Sequence, residues 1–551
     1  MMRTILKFQF ILSLIFCFAI VGCQEEKYEE ELDLFQPRFV LEEPAVEGNS
    51  FAIVWYEVND AVSYTVELYL DNYYTEHYAT FEQTSTNFYI DNIPYGTRYY
   101  VRVRSNAPKA INNSHWAYTS ATTETRPAYD HILNDVQRID IEDYAVTIKW
   151  DVSDENPVDS ISVLPIVNTA AAPINRYLTD AEKQSGEAYI DNLSQKTLYS
   201  VTLFDTAKPG TYDKPYNQVR FTTTGPAAGS VMVNQGDDLS AILNAANINP
   251  DVPEGVEYIL ENGATFSLAP FAITKGFLLT SPSGGERADV TMIAGTSGSW
   301  WNFAANAYVE KMEFSNINFS HEEGNTSGYF MNAENSYEAE QIVFFNCDFS
   351  GFGRGFWRHK NNNYKRIGSF EMDYCVIKNC GAFNASGGYG TFNMGSDTDD
   401  MAYDNIESAS FTNMTFMNAV NGSMGNLFYA PKTTYPVNLT YKNVTIYNYF
   451  DSSASLVQFS WATGSTLTFE NVLFASRGGA FFVEPSGLTK NFSNNYVTTE
   501  ASSAGYSLVN AVNLEVSATD LFADPANGNL TIKMLTSPIV ANEVGDPRWL
   551  P

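Results

Sequence analysis

Positive charge is what this chain has least of. Thirty-two Lys and Arg stand against 64 Asp and Glu, a formal net charge of −32 over 551 residues. That balance excludes nucleic acid or an anionic membrane surface as the general partner, because like charges repel; an anionic ligand would need a local exception. Histidine is scarce too. The five, at 77, 115, 131, 321 and 359, have no metal-ligand spacing and give no support to zinc. The longest apolar run, Phe8 to Ile20, is too short to span a bilayer as a helix. Aromatics, by contrast, are plentiful: 14% of residues, within 44% hydrophobic, enough for large cores in about three or four domains.

The aromatics follow a pattern. Phe411-Thr412-Asn413-Met414-Thr415-Phe416 reads apolar, any, Asn, apolar, any, apolar, and it returns with its Asn at 316, 346, 443, 471 and 494; a seventh copy carries Tyr374 in the Asn place. The steps between copies are 30, 28, 39, 30, 28 and 23 residues. Self-similarity at that period signals a solenoid, and alternating β-branched and aromatic residues argue for strands. The pattern predicts a right-handed parallel β-helix with strands about 4.8 Å apart and Asn turns hydrogen-bonded up the stack. Cys347 and Cys375 share the apolar position after the Asn, so they should stack in the core, as thiols or as a disulfide; Cys380 has no evident partner.

The N-terminal half differs. Short strands around Trp55, Tyr64–Leu70 and Tyr99–Arg104 are followed by a second module on the same plan, with Tyr89-Ile90-Asp91-Asn92 matched by Tyr189-Ile190-Asp191-Asn192 one hundred residues later. An early buried Trp (Trp55, Trp150) and a late corner Tyr (Tyr99, Tyr199) resemble the fibronectin type III sandwich. Tyr69, Tyr73, Tyr74 and Tyr78 form either a sugar-stacking face or ordinary hairpin packing. Asp237 to Ala246 has an N-capping Asp and apolar residues at 239, 242, 243 and 246, a short helix suited to cover the first solenoid coil.

At the start, Arg3 and Lys7, the apolar run and Ile20-Val21-Gly22-Cys23 resemble a bacterial lipoprotein signal, which implies cleavage before Cys23 and a lipid on its sulfur. The acidic stretch behind it resembles the export signal of surface lipoproteins in glycan-degrading Gram-negative bacteria. The opening and closing segments of the C-terminal half resemble pectate-lyase-like proteins. The whole chain therefore resembles a family of pectin-lyase-like β-helix lipoproteins with tandem fibronectin type III-like modules, belonging to bacterial polysaccharide-utilisation systems. The expected fold class is all-β, with a signal peptide at 1–22, an acidic tether at 23–35, sandwiches at 36–127 and 128–225, and the β-helix at 226–551. The resemblance implies an outer membrane lipoprotein facing the cell surface, beside glycan-uptake proteins.

Two constellations suit a glycan. If Phe330, Phe356, Phe392, Phe428, Val457 and Phe481 point inward, alternation puts Met331, Trp357, Asn393, Tyr429, Gln458 and Phe482 outward, rings and amides that would stack on and hydrogen-bond a sugar chain. Beside them lies a basic island, Arg354, Arg358, His359, Lys360, Lys365 and Arg366, with no acid between 354 and 366. It would focus a uronic-acid polysaccharide, or simply balance nearby carboxylates. Polysaccharide binding is the first reading. A lyase of the pectate-lyase type is the alternative, with Arg358 or Lys360 as base and calcium, the one cofactor in view, on Asp397, Asp399, Asp400 and Asp404. That acidic run is equally an exposed loop. The Gly-His-Gly and Arg-Ile-Lys signatures are missing, and no paired acids stand at repeat positions. A structural spacer is the third reading.

Overall fold

A computed structural model describes residues 33–41, 43–91, 93–124, 130–166, 171–205, 216–293, 301–322, 328–360, 363–381, 390–394, 404–417, 427–430, 435–449, 456–458, 464–475, 482–483, 488–501 and 510–551. The chain forms two compact units, Met1–His131 and Ile132–Pro551. Cys23, the whole segment 1–22 and Asp397, Asp399 and Asp400 lie outside the described residues. No helix among the described residues is long and apolar enough to cross a membrane.

The first unit is an antiparallel sandwich. Ala45–Glu47, Ser50–Val54 and Asn87–Ile90 make one sheet; His77–Gln83, Ser63–Tyr69, Arg98–Asn106 and Ala117–Thr122 make the other. Strict alternation in Arg98–Asn106 buries Tyr99, Val101 and Val103 against Phe51, Ile53, Trp55 and Phe88. Trp55 and Tyr99 are core residues, as their spacing predicts. The second unit opens with a similar sandwich, in which Ser160–Pro165, Leu198–Phe204 and Gln218–Thr222 form the larger sheet with Ile174–Tyr177, over a core that includes Trp150 and Tyr199. A helix, Leu239–Ile248, follows; the Asp238 carboxylate accepts from the Ala241 amide, and Leu239 and Leu243 join the core of the strands behind it.

From there on every pairing within the large sheets is parallel. Among the described residues, seventeen strands make one sheet and six make another, and strands pair with their counterparts about 30 residues along the chain, as Ala307–Ser315 does with Tyr337–Phe345 and that strand in turn with Lys365–Asp373. One repeat supplies two strands to the large sheet and a third, such as Tyr329–Ala333, to the six-stranded one. The bend between the first two strands falls on the repeated Asn. Asn316, Asn346, Tyr374, Asn413, Asn443, Asn471 and Asn494 all take left-handed backbone, with φ between 50° and 58°. Asn tolerates that region better than other side chains do, and its amide reaches the next turn. Asn346 Nδ2 donates to Asn316 Oδ1 at 2.9 Å, Asn443 to Asn413 at 2.7 Å, and Asn471 to Asn443 and Asn494 to Asn471 at 2.8 Å each. Where Tyr374 interrupts the ladder, the Asp373 carboxylate accepts from Asn413 Nδ2 at 2.9 Å.

Aromatic stacks run up the interior beside this ladder. Phe314 and Phe344 lie 5.1 Å apart at 9°, Phe319 and Phe349 5.3 Å apart at 3°, and Tyr441 and Phe469 5.1 Å apart at 21°. Cys347, Cys375 and Cys380 are buried free thiols, and burial pushes Cys347 and Cys380 up to about 12. The C-terminal segment folds back across the repeats. Leu521, Phe522, Leu530, Ile532 and Ile539 pack on Val376, Met417 and Leu473, and the Gly545 amide donates to the Asn471 carbonyl.

Candidate functional site

The outer side of the six-stranded sheet carries a row of polar residues, though not the row that simple alternation predicts. Trp357 is fully buried and packs edge-on against Phe370, 5.2 Å away. Met331 is equally buried. The reason is a corner. At each repeat the chain turns into this sheet with two successive inward residues, Phe330 and Met331, Phe356 and Trp357, Leu427 and Phe428, Leu456 and Val457, before alternation begins. Both the Phe356 and the Trp357 amides donate to the Thr391 carbonyl, which shifts the pairing so that Trp357 faces Phe392 and Arg358 faces Asn393. Of Phe482 only the backbone is described, in register with Val457; Phe481 lies outside the described residues.

The row is therefore Asn332, Arg358, Asn393 and Tyr429, joined by parallel register, with the backbone of Gln458 next in line. Two members, Asn393 and Tyr429, are those the sequence points to; Asn332 is new, and Arg358 moves into the row from the basic island. The missed signal was an apolar pair followed by a polar residue, obscured by aligning the repeats on Phe. Asn332 and Asn393 are 6% and 2% exposed, and the amide oxygen of each has no hydrogen-bond partner among the described residues. Asn332 Nδ2 donates to Glu334 at 3.1 Å. Between the two amides, Arg358 reaches Tyr329, whose ring centre lies 5.8 Å from the guanidinium carbon.

The rest of the basic island disperses. Lys360 pairs with Glu334 at 2.5 Å. Arg366 belongs to the large sheet, where Glu340 and Glu407 each bind it at 2.7 Å and hold it firmly protonated. Lys365 is fully buried and donates to the Asn363 carbonyl at 2.8 Å. His359 points inward to the Tyr337 hydroxyl, 2.7 Å from Nε2, and burial, with the Lys365 charge behind it, pulls its pKa well below the ordinary value. It is neutral, not the cation expected of a substrate-binding island. The local run without acids misleads because the acids come from neighbouring repeats, at 334, 340 and 407. Arg354 has no carboxylate at ion-pair distance among the described residues.

Chemically, the row offers amide acceptors and donors, a phenol and a guanidinium at successive repeats. That suits hydroxyl groups and a carboxylate on an extended ligand. No group of three or more His, Cys, Asp or Glu able to hold a metal occurs among the described residues. Of the four Asp expected to bind calcium, only the backbone of Asp404 is described; it pairs with Lys365.

Residues 439–549 match the model of a family described as a domain of unknown function, DUF5123. No curated protein matches the chain. Among solved structures, a two-domain fibronectin type III segment of chicken tenascin is similar at 12% identity, covering 35% of this chain and 99% of that one, with a TM-score of 0.14. The FN1–FN3 domains of chicken CNTN1 are similar at 17% identity, over 35% of this chain and 66% of theirs, also with a TM-score of 0.14.

Proposed function

We propose that this protein is a surface lipoprotein that captures a polysaccharide along the outer row of its six-stranded sheet. In this reading the parallel sheets are walls of a right-handed β-helix, two fibronectin-like modules precede it in the chain, and lipid on Cys23 anchors the protein to an outer membrane. The reading rests on one observation above the others: two buried amide oxygens, on Asn332 and Asn393, stand without partners among the described residues on either side of Arg358. A buried acceptor left unsatisfied costs about 1–3 kcal/mol, which a donating ligand would recover. Sugar hydroxyls are such donors, and Arg358 between them fits the carboxylate of a uronic acid.

The lyase alternative shares Arg358 but loses Lys360 as a free base, since Glu334 holds it. Both readings meet in one experiment. Residues 24–551 are run through affinity gels cast with acidic and neutral polysaccharides, with calcium, while absorbance of unsaturated products is followed. Retardation without product, lost in Arg358→Ala and weakened in Asn393→Leu, supports capture. Product formation abolished by Arg358→Ala would replace capture by elimination. No retardation in any gel would leave a spacer.

A further inference from the structure

A second surface in the molecule is built like a binding site, on the outer face of the four-stranded sheet of the first unit. Alternation along Arg98–Asn106 turns Arg98, Tyr100, Arg102 and Arg104 outward. Register places Tyr100 beside Ser120 and Arg102 beside Tyr118. Arg102 is the pillar of this face: it pairs with Glu67 at 2.5 Å, donates to the Tyr69 hydroxyl at 2.8 Å, and lies 4.3 Å from the Trp116 ring centre and 4.9 Å from that of Tyr69. Such contacts fix rings at little further entropic cost.

Tyr74 completes the face in an unusual way. Its φ is +58°, a conformation that bulky side chains rarely adopt. Asp71 imposes it, accepting from the amides of Tyr73 at 3.0 Å, Thr75 at 2.8 Å and Glu76 at 2.6 Å. The strained turn sets the Tyr74 ring 5.1 Å from that of Tyr118. Strain of this kind concentrates at functional sites. Tyr74, Tyr100 and Tyr118 line a hollow of about 670 Å³ with Arg98, Glu43 and the hydroxyls of Ser120 and Thr122. Arg98 donates to Ser120 Oγ at 3.2 Å and lies over the Tyr100 ring, but has no carboxylate partner among the described residues. Of the four tyrosines the sequence singles out, Tyr69 is buried, Tyr78 packs on Tyr99, Tyr73 is exposed away from the hollow, and only Tyr74 lines it.

We infer that this hollow binds a carboxylate-bearing oligosaccharide, the sugar faces stacking on Tyr74, Tyr100 and Tyr118 and the carboxylate on Arg98. In a chain of net charge −32, a guanidinium without a carboxylate, set among rings and hydroxyls, selects for an anionic sugar over a neutral one.

The test is calorimetric titration of residues 24–551 with oligogalacturonate and with its fully methyl-esterified form, in the Arg358→Ala background as well as the native one, so that the six-stranded sheet is assayed apart. Arg98→Met should weaken oligogalacturonate binding about tenfold and leave the ester unchanged, while Tyr118→Ala weakens both about tenfold. These effects should persist in the Arg358→Ala background whether or not the sheet binds sugar. Unchanged affinity in Arg98→Met, or no binding assigned to the first unit, would overturn the inference. Both side chains are exposed, and an unaltered thermal melt verifies that the variants fold.

Discussion

Asn443 shows how one residue type does two jobs here. Its backbone sits at φ 54°, and its amide donates to Asn413 while accepting from Asn471. Ala at this position keeps neither the conformational tolerance nor the hydrogen bonds, and should cost about 2 kcal/mol. Gly keeps the conformation and should cost about 1 kcal/mol. Urea midpoints of the two variants check this; equal losses would mean the ladder is decoration on a glycine-like turn. This feature was legible in the sequence because one residue type carries both requirements, and even Tyr374 betrayed its place through its apolar neighbours. The inward face of Trp357 was not legible. An aromatic after Phe356 reads as outward by alternation, and only a corner that turns two residues inward reverses it.

At the scale of elements, the C-terminal segment behaves as a clasp with its own pH dependence. Asp546 is buried, accepting from Thr415 Oγ1 at 2.7 Å and pairing with Arg548 at 3.0 Å, while the Trp549 indole donates to the same Thr415 oxygen at 2.7 Å. Burial raises the Asp546 pKa to about 6, more than Arg548 lowers it. An acid whose folded pKa exceeds its unfolded value of about 3.9 contributes stability that is fully present below that value and is lost as pH rises through the folded pKa. The clasp should therefore loosen between about pH 4 and 6. After correction for intrinsic rates, hydrogen exchange at residues 545–550 should be on the order of tenfold more protected at pH 4 than at pH 7, and Asp546→Asn should flatten the profile. Protection independent of pH in the native chain would contradict this. The sequence showed a Gly-Asp-Pro near the end but could not show that its carboxylate crosses to Thr415, 131 positions earlier.

For the whole molecule, the period of about 30 residues made the stacking of parallel strands legible, while the electrostatics of that stack stayed hidden. Charges one repeat apart in sequence become neighbours in space, so Glu334 meets Lys360 and Glu340 meets Arg366. What seemed a basic island is thereby reduced, at the sheet's outer row, to Arg358 between two buried amides. In the proposed reading, the charge excess of the chain would repel an anionic ligand away from this row.

The most direct measurement compares Arg358→Ala with Trp357→Leu for retention of residues 24–551 on an acidic polysaccharide, each variant alongside its thermal melt. The account expects Arg358→Ala to melt normally and lose retention, and Trp357→Leu to melt earlier by an amount typical of a core truncation, about 2–4 kcal/mol, while the folded fraction is still retained. Retention that survives Arg358→Ala but disappears from folded Trp357→Leu would put the sugar on the aromatic row and contradict the account.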